Sequence, residues 1–204
     1  MTVILIPCKN LDRGKSRLAR CLTPRSRRAL CEFFLCRTLD IATQAVTRRQ
    51  VRLVTSDPRV EAIARDYGVA VIPDRGGGLN AALECGRQHL LAEGGGQAGL
   101  VLPIDLPLAT AAELGKIASA AEEVVIVPDE AMTGTNVLRL GAMAFPRFRF
   151  SFGVRSYAAH CAEARAGGFE AVTVEAPSLG FDVDRPDQYR RWAPENPAWN
   201  QAGR

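Results

Sequence analysis

The strongest constraint on this chain is that short apolar runs with few polar interruptions alternate with segments long enough to be helices. "VILIP" at 3–7, "VRLVTSD" at 51–57, "VAVIP" at 69–73, "AGLVLPID" at 98–105 and "EVVIVPD" at 123–129 each read as a buried strand. Between them lie helical stretches, from about Pro24 to Val46, from Asp57-Pro58 to the terminator Gly68, from Leu79 to Ala92, and from Ala111 to Ala121. Thr23 is placed as the N-cap of the first, with Pro24 in its first turn and Leu30, Phe33, Phe34 and Leu39 on one packing stripe. A helix between two strands implies a crossover, and crossovers imply a mostly parallel sheet covered on both faces. The second half adds "TNVLRLG", a helix over 156–166, the strand "EAVTVEA" and a short helix after Arg185. The expected fold class is therefore α/β.

At 204 residues the chain has room for one sizeable core, and a single domain over 1–193 is expected, with a poorly ordered tail at 194–204. Lys and Arg exceed Asp and Glu by only 26 to 22, and much of the excess falls in the first 28 residues. So local a charge favours a phosphate-bearing ligand at one site over the coating of nucleic acid, and no nucleic-acid partner is expected. The six cysteines form no C-x-x-C pair and histidines number two, which argues against a zinc site or a disulfide framework. The opening apolar run is too short for a signal peptide and no stretch is long enough to cross a bilayer, so a reduced cytoplasm is the expected location. Oligomeric state is not fixed by these features, and a homodimer is compatible with them.

In open parallel sheets ligands lie beyond the carboxyl ends of the strands, so the residues that follow each apolar run matter most. After the first run comes "IPCKNLDRGKSRLA", where Lys9, Lys15, Ser16 and Arg17 offer enough donors to grip a triphosphate; the plain alternative is a solvated run of charge. The loop is neither G-x-x-x-x-G-K-[ST] nor G-x-G-x-x-G, so any phosphate grip here is of another kind. Asp105 in "PIDLP" follows the most apolar strand. In "FDVDRP", Asp182 and Asp184 share one face of an extended segment while Val183 points away, and two such carboxylates repel unless a cation or proton intervenes. Three aspartates without histidine suit Mg2+, a hard ion; the alternative is that Asp184 merely caps a helix. "TGTN" at 133–136 and "FSFGVRS" offer Thr135, Gly153 and Ser156 for a second phosphate, or are simple turns. In "GGGLNAAL", Asn80 either reads a base edge or sits in a flexible turn. His89 and His160, both on expected helices, are read as packing or surface residues rather than general bases. The cysteines, Cys8 included, are read as small core residues.

Taken together and in order, "IPCKNLDRGKSRLA", "GLNAAL", "LPIDLPL", "TGTN", "RFSFGVRSYAAH" and "LGFDVDRPD" resemble the guanylyltransferases of deazaflavin coenzyme F420 biosynthesis, the 2-phospho-L-lactate guanylyltransferase family, over about residues 3–190. The resemblance implies a Rossmann-like, mostly parallel mixed sheet of the nucleotidyltransferase, glycosyltransferase-A-like kind. It implies transfer of GMP from GTP to a small phosphorylated carboxylic acid, with release of pyrophosphate. By the same likeness Asp105, Asp182 and Asp184 hold magnesium, Thr135, Gly153 and Ser156 hold the acid's phosphate, and Lys15 and Arg17 hold the GTP phosphates and act in catalysis with Asp105. "FGVRS" departs from the family pattern at Val154 and Arg155, which leaves the acid open among 2-phospho-L-lactate, phosphoenolpyruvate and 3-phospho-D-glycerate. Competing readings are a nucleotidyltransferase of the same fold acting on molybdopterin or a sugar phosphate, or a non-catalytic nucleotide- or RNA-binding module.

Overall fold

The structure, a computed structural model, describes residues 1–196 and 198–199. Its strands are β1 (Thr2–Pro7), β2 (Val51–Thr55), β3 (Ala70–Pro73), β4 (Ala98–Val101), β5 (Val124–Pro128), β6 (Thr135–Leu140) and β7 (Ala171–Thr173). The helices are α1 (Pro24–Ala45), α2 (Pro58–Asp66), α3 (Leu79–Ala92), α4 (Ala111–Ala118), α5 (Ser156–Ala166), α6 (Pro177–Gly180) and α7 (Pro186–Trp192). All seven strands join one sheet in the order β3-β2-β1-β4-β6-β5-β7.

Every pairing is parallel except those of β6, which runs antiparallel to both β4 and β5. A six-residue connection from Pro128 to Thr135 is too short for a crossover, so β6 must turn back; the apolar pattern of "TNVLRLG" carries no direction. The mixed, mostly parallel sheet expected from the crossovers is thus present. α6 and several 3-10 turns, among them Leu11–Arg13 and Ser16–Arg20, are additions that the apolar pattern did not announce.

Residue alternation along β1 divides the core. Ile4 and Ile6 face the side covered by α1, α2 and α4, whereas Val3 and Leu5 face the side covered by α3 and α5. The first helix starts where its cap is, with Thr23 Oγ1 accepting from Ser26 N–H at 3.1 Å. Asp57 caps α2 in the same way, accepting from Arg59 N–H at 3.0 Å. A third cluster joins α1, α7 and the segment 181–183: Leu18, Leu30, Phe34, Phe181, Val183, Trp192 and Trp199 are all buried together. The tail expected to be poorly ordered from Pro194 falls partly outside the described residues, at 197 and 200–204, but Trp199 is only 4% exposed and its ring lies 5.7 Å from that of Phe33.

Order reverses between β1 and β4: the strands to one side of this junction are reached by crossovers in one sense and those to the other side in the opposite sense. Such a junction leaves a crevice at the carboxyl ends of its two strands. The loops that leave those ends carry the residues 8–23 and 102–110.

At the middle of the sheet, Gly99 makes room for the ring of Phe145, which a Cβ at that position would overlap. Phe145 is fully buried and cannot swing out. Gly99→Ala should therefore cost about 1–3 kcal/mol in urea unfolding, and Phe145→Leu in the same chain should recover part of it. Additive losses in the double variant would contradict this account.

Candidate active site

The loop after β1 is built to hold one lysine inward. Leu11 is buried, and its N–H donates to Asp57 Oδ2 at 3.1 Å, which fastens the loop to the start of α2. Asp12 pairs with both Arg28 and Arg59, so one carboxylate is shared between two of the loop's neighbouring cations. Gly14 has no Cβ, and the space one would fill is occupied by Cys31 Sγ from α1. Immediately after it the backbone enters the left-handed region at Lys15, with φ 53°. That bend sends the lysine back under the loop: its Nζ lies 2.7 Å from Asp105 Oδ2 and 3.7 Å from Asp184 Oδ1. Burial alone would lower its pKa, but the two carboxylates outweigh burial and hold it above the usual value. Arg17, mostly exposed, pairs with the other oxygen of Asp184.

The aspartates arrive from two distant segments. Asp105 follows β4, and its carbonyl accepts from Val183 N–H at 3.0 Å, strapping the two segments together. Val183 is completely buried in the third cluster, so its neighbours Asp182 and Asp184 face the other way, into the crevice. Gln188 completes the turn: its Oε1 accepts from the N–H groups of Asp184 at 3.0 Å and Arg185 at 2.8 Å, and its Nε2 donates to Asp182 Oδ1 at 3.1 Å. Burial, and next the charge of Asp105, push the Asp182 carboxyl up to about 6. This corner is crowded with negative charge even with Lys15 present.

Asp105 forms the boundary between two clefts. One, of 270 Å³, is lined by Asp105, Asp182, Asp184, Thr135, Gly153 and Ser156. Its neighbour, of 340 Å³, is lined by Lys9, Asn10, Arg13 and Lys15 with Asp105 again at the edge. Of the residues singled out in the sequence, these are therefore brought together in the groups in which they were read. Arg17 lines a smaller cleft beside Asp182 and Asp184. Ser16 is exposed and lines none of these three clefts.

Asn80 needs correction as a base reader. Its Nδ2 donates to the Phe152 carbonyl at 3.0 Å and its Oδ1 accepts from the Phe152 N–H at 2.9 Å, and it lines neither main cleft. It tethers the 150–156 loop to α3. Arg155 is exposed at the start of α5, in the left-handed region at φ 58°, and is absent from the lining of both clefts.

Two contributors escaped the sequence reading. Asp129 lines the acidic cleft and accepts from Thr133 N–H at 2.8 Å; its position at the end of β5 was a usable signal. Gln188 had none, because a glutamine three residues past an arginine does not form the usual capping signature. His160 is fully buried between the rings of Phe148 and Phe152, where burial pushes its pKa down to about 4. His89 is on α3, 3.4 Å from Glu93. All six cysteines are free, and burial pushes Cys8 up to about 12 and Cys31 up to about 11, so neither supplies a thiolate.

Among the described residues no three carboxylate, imidazole or thiol groups are already gathered as a metal cage. Magnesium does not need one, since it commonly takes one or two carboxylates together with water and phosphate oxygens. Four carboxylates line the one cleft, Asp129 with Asp105, Asp182 and Asp184, and such a donor set fits the ion.

The chain is similar to known proteins in sequence and in fold. The family model described as "Guanylyl transferase CofC like" matches residues 2–190. A phosphoenolpyruvate guanylyltransferase of Rubrobacter xylanophilus is 39% identical over 193 residues, covering 92% of this chain and 91% of its own. Another, from Chloroflexus aggregans, is 36% identical, covering 97% of this chain and 100% of its own. Among solved structures, a nucleotidyl transferase from Methanothermobacter thermautotroptrophicus superposes with a TM-score of 0.67 at 18% identity, over 94% of this chain and 95% of that one.

The buried imidazole makes stability depend on pH. Its folded pKa of about 4 lies below the ordinary 6.5, so between these values the unfolded chain binds more protons and stability falls as pH is lowered. Against His160→Gln, wild type should lose ~3 kcal/mol more between neutral pH and pH ~4 in urea unfolding. A stability difference that does not change with pH would refute the assignment.

Proposed function

The chain belongs to the family of CofC-like guanylyl transferases, and from that premise we propose that it transfers GMP from GTP to the phosphate of a small phosphorylated acid, releasing pyrophosphate. Phosphoenolpyruvate is the acid we favour over 2-phospho-L-lactate and 3-phospho-D-glycerate, because the relatives just described carry that name. The proposed setting is the deazaflavin coenzyme F420 pathway in the cytoplasm, which six free thiols and the absence of a membrane-spanning helix among the described residues suit. We take one domain, 1–193, as the catalytic unit.

The observation that carries the reading is the convergence of Lys15 with Asp105 and Asp184 where a basic cleft meets an acidic one. GTP phosphates would lie on the Lys9 and Lys15 side, and the acid's phosphate on the Thr135, Gly153 and Ser156 side. An oxygen of the acid's phosphate forms a bond to the α-phosphorus of GTP, and the bond from that phosphorus to the bridging oxygen of the β-phosphate breaks. The electron pair leaves with pyrophosphate. A phosphate monoester has its second pKa near 6, so it is already largely dianionic at neutral pH and needs no general base. This agrees with a site whose nearest imidazole is buried and whose thiols are protonated.

The task left to the protein is positioning and charge neutralisation. Lys15, held charged by Asp105, and Arg17 would stabilise the growing charge of the leaving pyrophosphate. Asp105, Asp182 and Asp184 would hold Mg2+, which when bound supplies charge to both anionic reactants. Gly153 lies at φ 134°, a conformation open to glycine, where it turns the backbone into the cleft edge ahead of α5.

Pyrophosphate should appear from GTP only when both magnesium and a phosphorylated three-carbon acid are present, with a product mass equal to GMP joined to that acid. No release with any of the three acids would overturn the reading. Lys15→Ala should lower kcat/KM by about 100-fold or more. Kinetics within a few-fold of wild type would remove Lys15 from the role given to it.

A further inference from the structure

Both nitrogens of the buried His160 are engaged. Ser151 N–H donates to its Nε2 at 3.0 Å, and its Nδ1 lies 2.9 Å from Thr135 Oγ1. A backbone amide can only donate, so Nε2 must carry the lone pair. The aromatic pocket, with no charged partner, keeps the ring neutral, and a neutral imidazole has one ring proton. That proton is therefore on Nδ1 and is given to Thr135 Oγ1.

The consequence lies in the cleft. Thr135 Oγ1 accepts from His160 and makes no other hydrogen bond among the described residues, so its own proton is left over on a residue that lines the cleft. Ser156 stands beside it in the same state: Oγ accepts from Thr135 N–H at 2.9 Å, Ser156 lines the same cleft, and no acceptor among the described residues takes its proton. Each hydroxyl has one of its two lone pairs taken by the protein and its proton free, so the pair can offer a ligand two donors. Such a cradle favours an oxyanion without bringing a positive charge to it.

We propose that His160 is a positioning residue: its Nδ1–H tautomer orients the Thr135 hydroxyl as a donor into the acidic cleft, so that the pair Thr135 and Ser156 selects an oxyanion. The identity of that oxyanion as the phosphate of the acceptor acid rests on the reaction proposed above; the tautomer and the direction of the hydroxyl do not. In this proposal His160 touches no ligand and acts on the hydroxyl through Thr135, while its other nitrogen accepts from Ser151 N–H.

The tautomer can be read without substrate. In a His89→Gln chain labelled with nitrogen-15 in histidine, a single imidazole remains. Its Nδ1 should show a bonded proton and its Nε2 a lone-pair shift throughout neutral pH; the reverse assignment, or a proton shared between the two, would overturn the proposal. His160→Asn keeps an N–H near the Nδ1 place, whereas His160→Gln keeps a polar atom only near the Nε2 place. The Gln variant should raise KM for the phosphorylated acid about tenfold while kcat and the KM for GTP stay within about twofold, and the Asn variant should restore most of the loss. In a Thr135→Val chain the Gln change should add nothing. Equal effects of Asn and Gln, equal rises in both KM values, or a full effect in the Thr135→Val chain would overturn it. Should no acid be turned over, titration with inorganic phosphate still separates the two ideas: weaker binding to Thr135→Val and to His160→Gln than to wild type supports the cradle, and equal binding to all three overturns it.

Discussion

Carboxylates from two distant segments face one crevice, and a nearly buried ammonium is what makes that arrangement tolerable. Lys15 reaches Asp105 at 2.7 Å and Asp184 at 3.7 Å with its side chain only 6% exposed. Removing one member of such a group leaves an uncompensated charge, which is far costlier than never having buried the pair. Even so Asp182 is held up to about 6, by burial first and by the charge of Asp105 next. In the proposed reaction a divalent cation would add positive charge at this corner.

The fastening is apolar. Leu18, between the loop cations and α1, packs in the same cluster as Val183, which separates Asp182 from Asp184. Phe34 of α1 and Trp192 of α7 fill the space between them, with ring centroids 5.1 Å apart. Each fully buried side chain of this kind contributes roughly 1.5–3 kcal/mol, more than an exposed ion pair such as Arg17 with Asp184 would add. The cluster thus brings the charges together and the charges in turn define the site. A chain that lacked the cluster would carry the same ionisable residues without holding them within reach of one another.

Much of this was legible in the sequence, for identifiable reasons. Buried parallel strands are written as near-continuous apolar runs, and a switch in strand order makes the residues just past them the ones to watch, which found Lys15 and Asp105. The two-residue period of an extended segment put Asp182 and Asp184 on one face, and Val183 is indeed buried opposite them. What failed was anything that depends on a partner chosen in three dimensions. Asn80 has the chemistry of a base reader but spends it on the Phe152 backbone, 72 positions away. His160 was readable as a packing residue, but not the two contacts that fix its proton. The direction of β6 was unreadable because it follows from the length of a turn rather than from a pattern.

In the proposed reaction the two clefts would each hold an anion, and their linings suit that task by different means. In that reaction the triphosphate is the electrophile, so Lys9 and Lys15, which line one cleft, would withdraw electron density from the phosphorus under attack and from the leaving pyrophosphate. The acceptor phosphate is the nucleophile, and a lysine or arginine laid directly on its attacking oxygen would lower its reactivity as it raised its affinity. Thr135, Ser156 and the turn at Gly153 instead offer neutral donors on the far side of Asp105. Neutral donors are weaker per contact, which makes their alignment matter more, and a hydroxyl left free to rotate would spend part of its time presenting a lone pair to the anion. A buried imidazole with one fixed proton takes up one lone pair of Thr135 and so narrows that option, at the cost of a ring that must stay neutral and dry. The aromatic pocket of Phe148 and Phe152 meets both conditions.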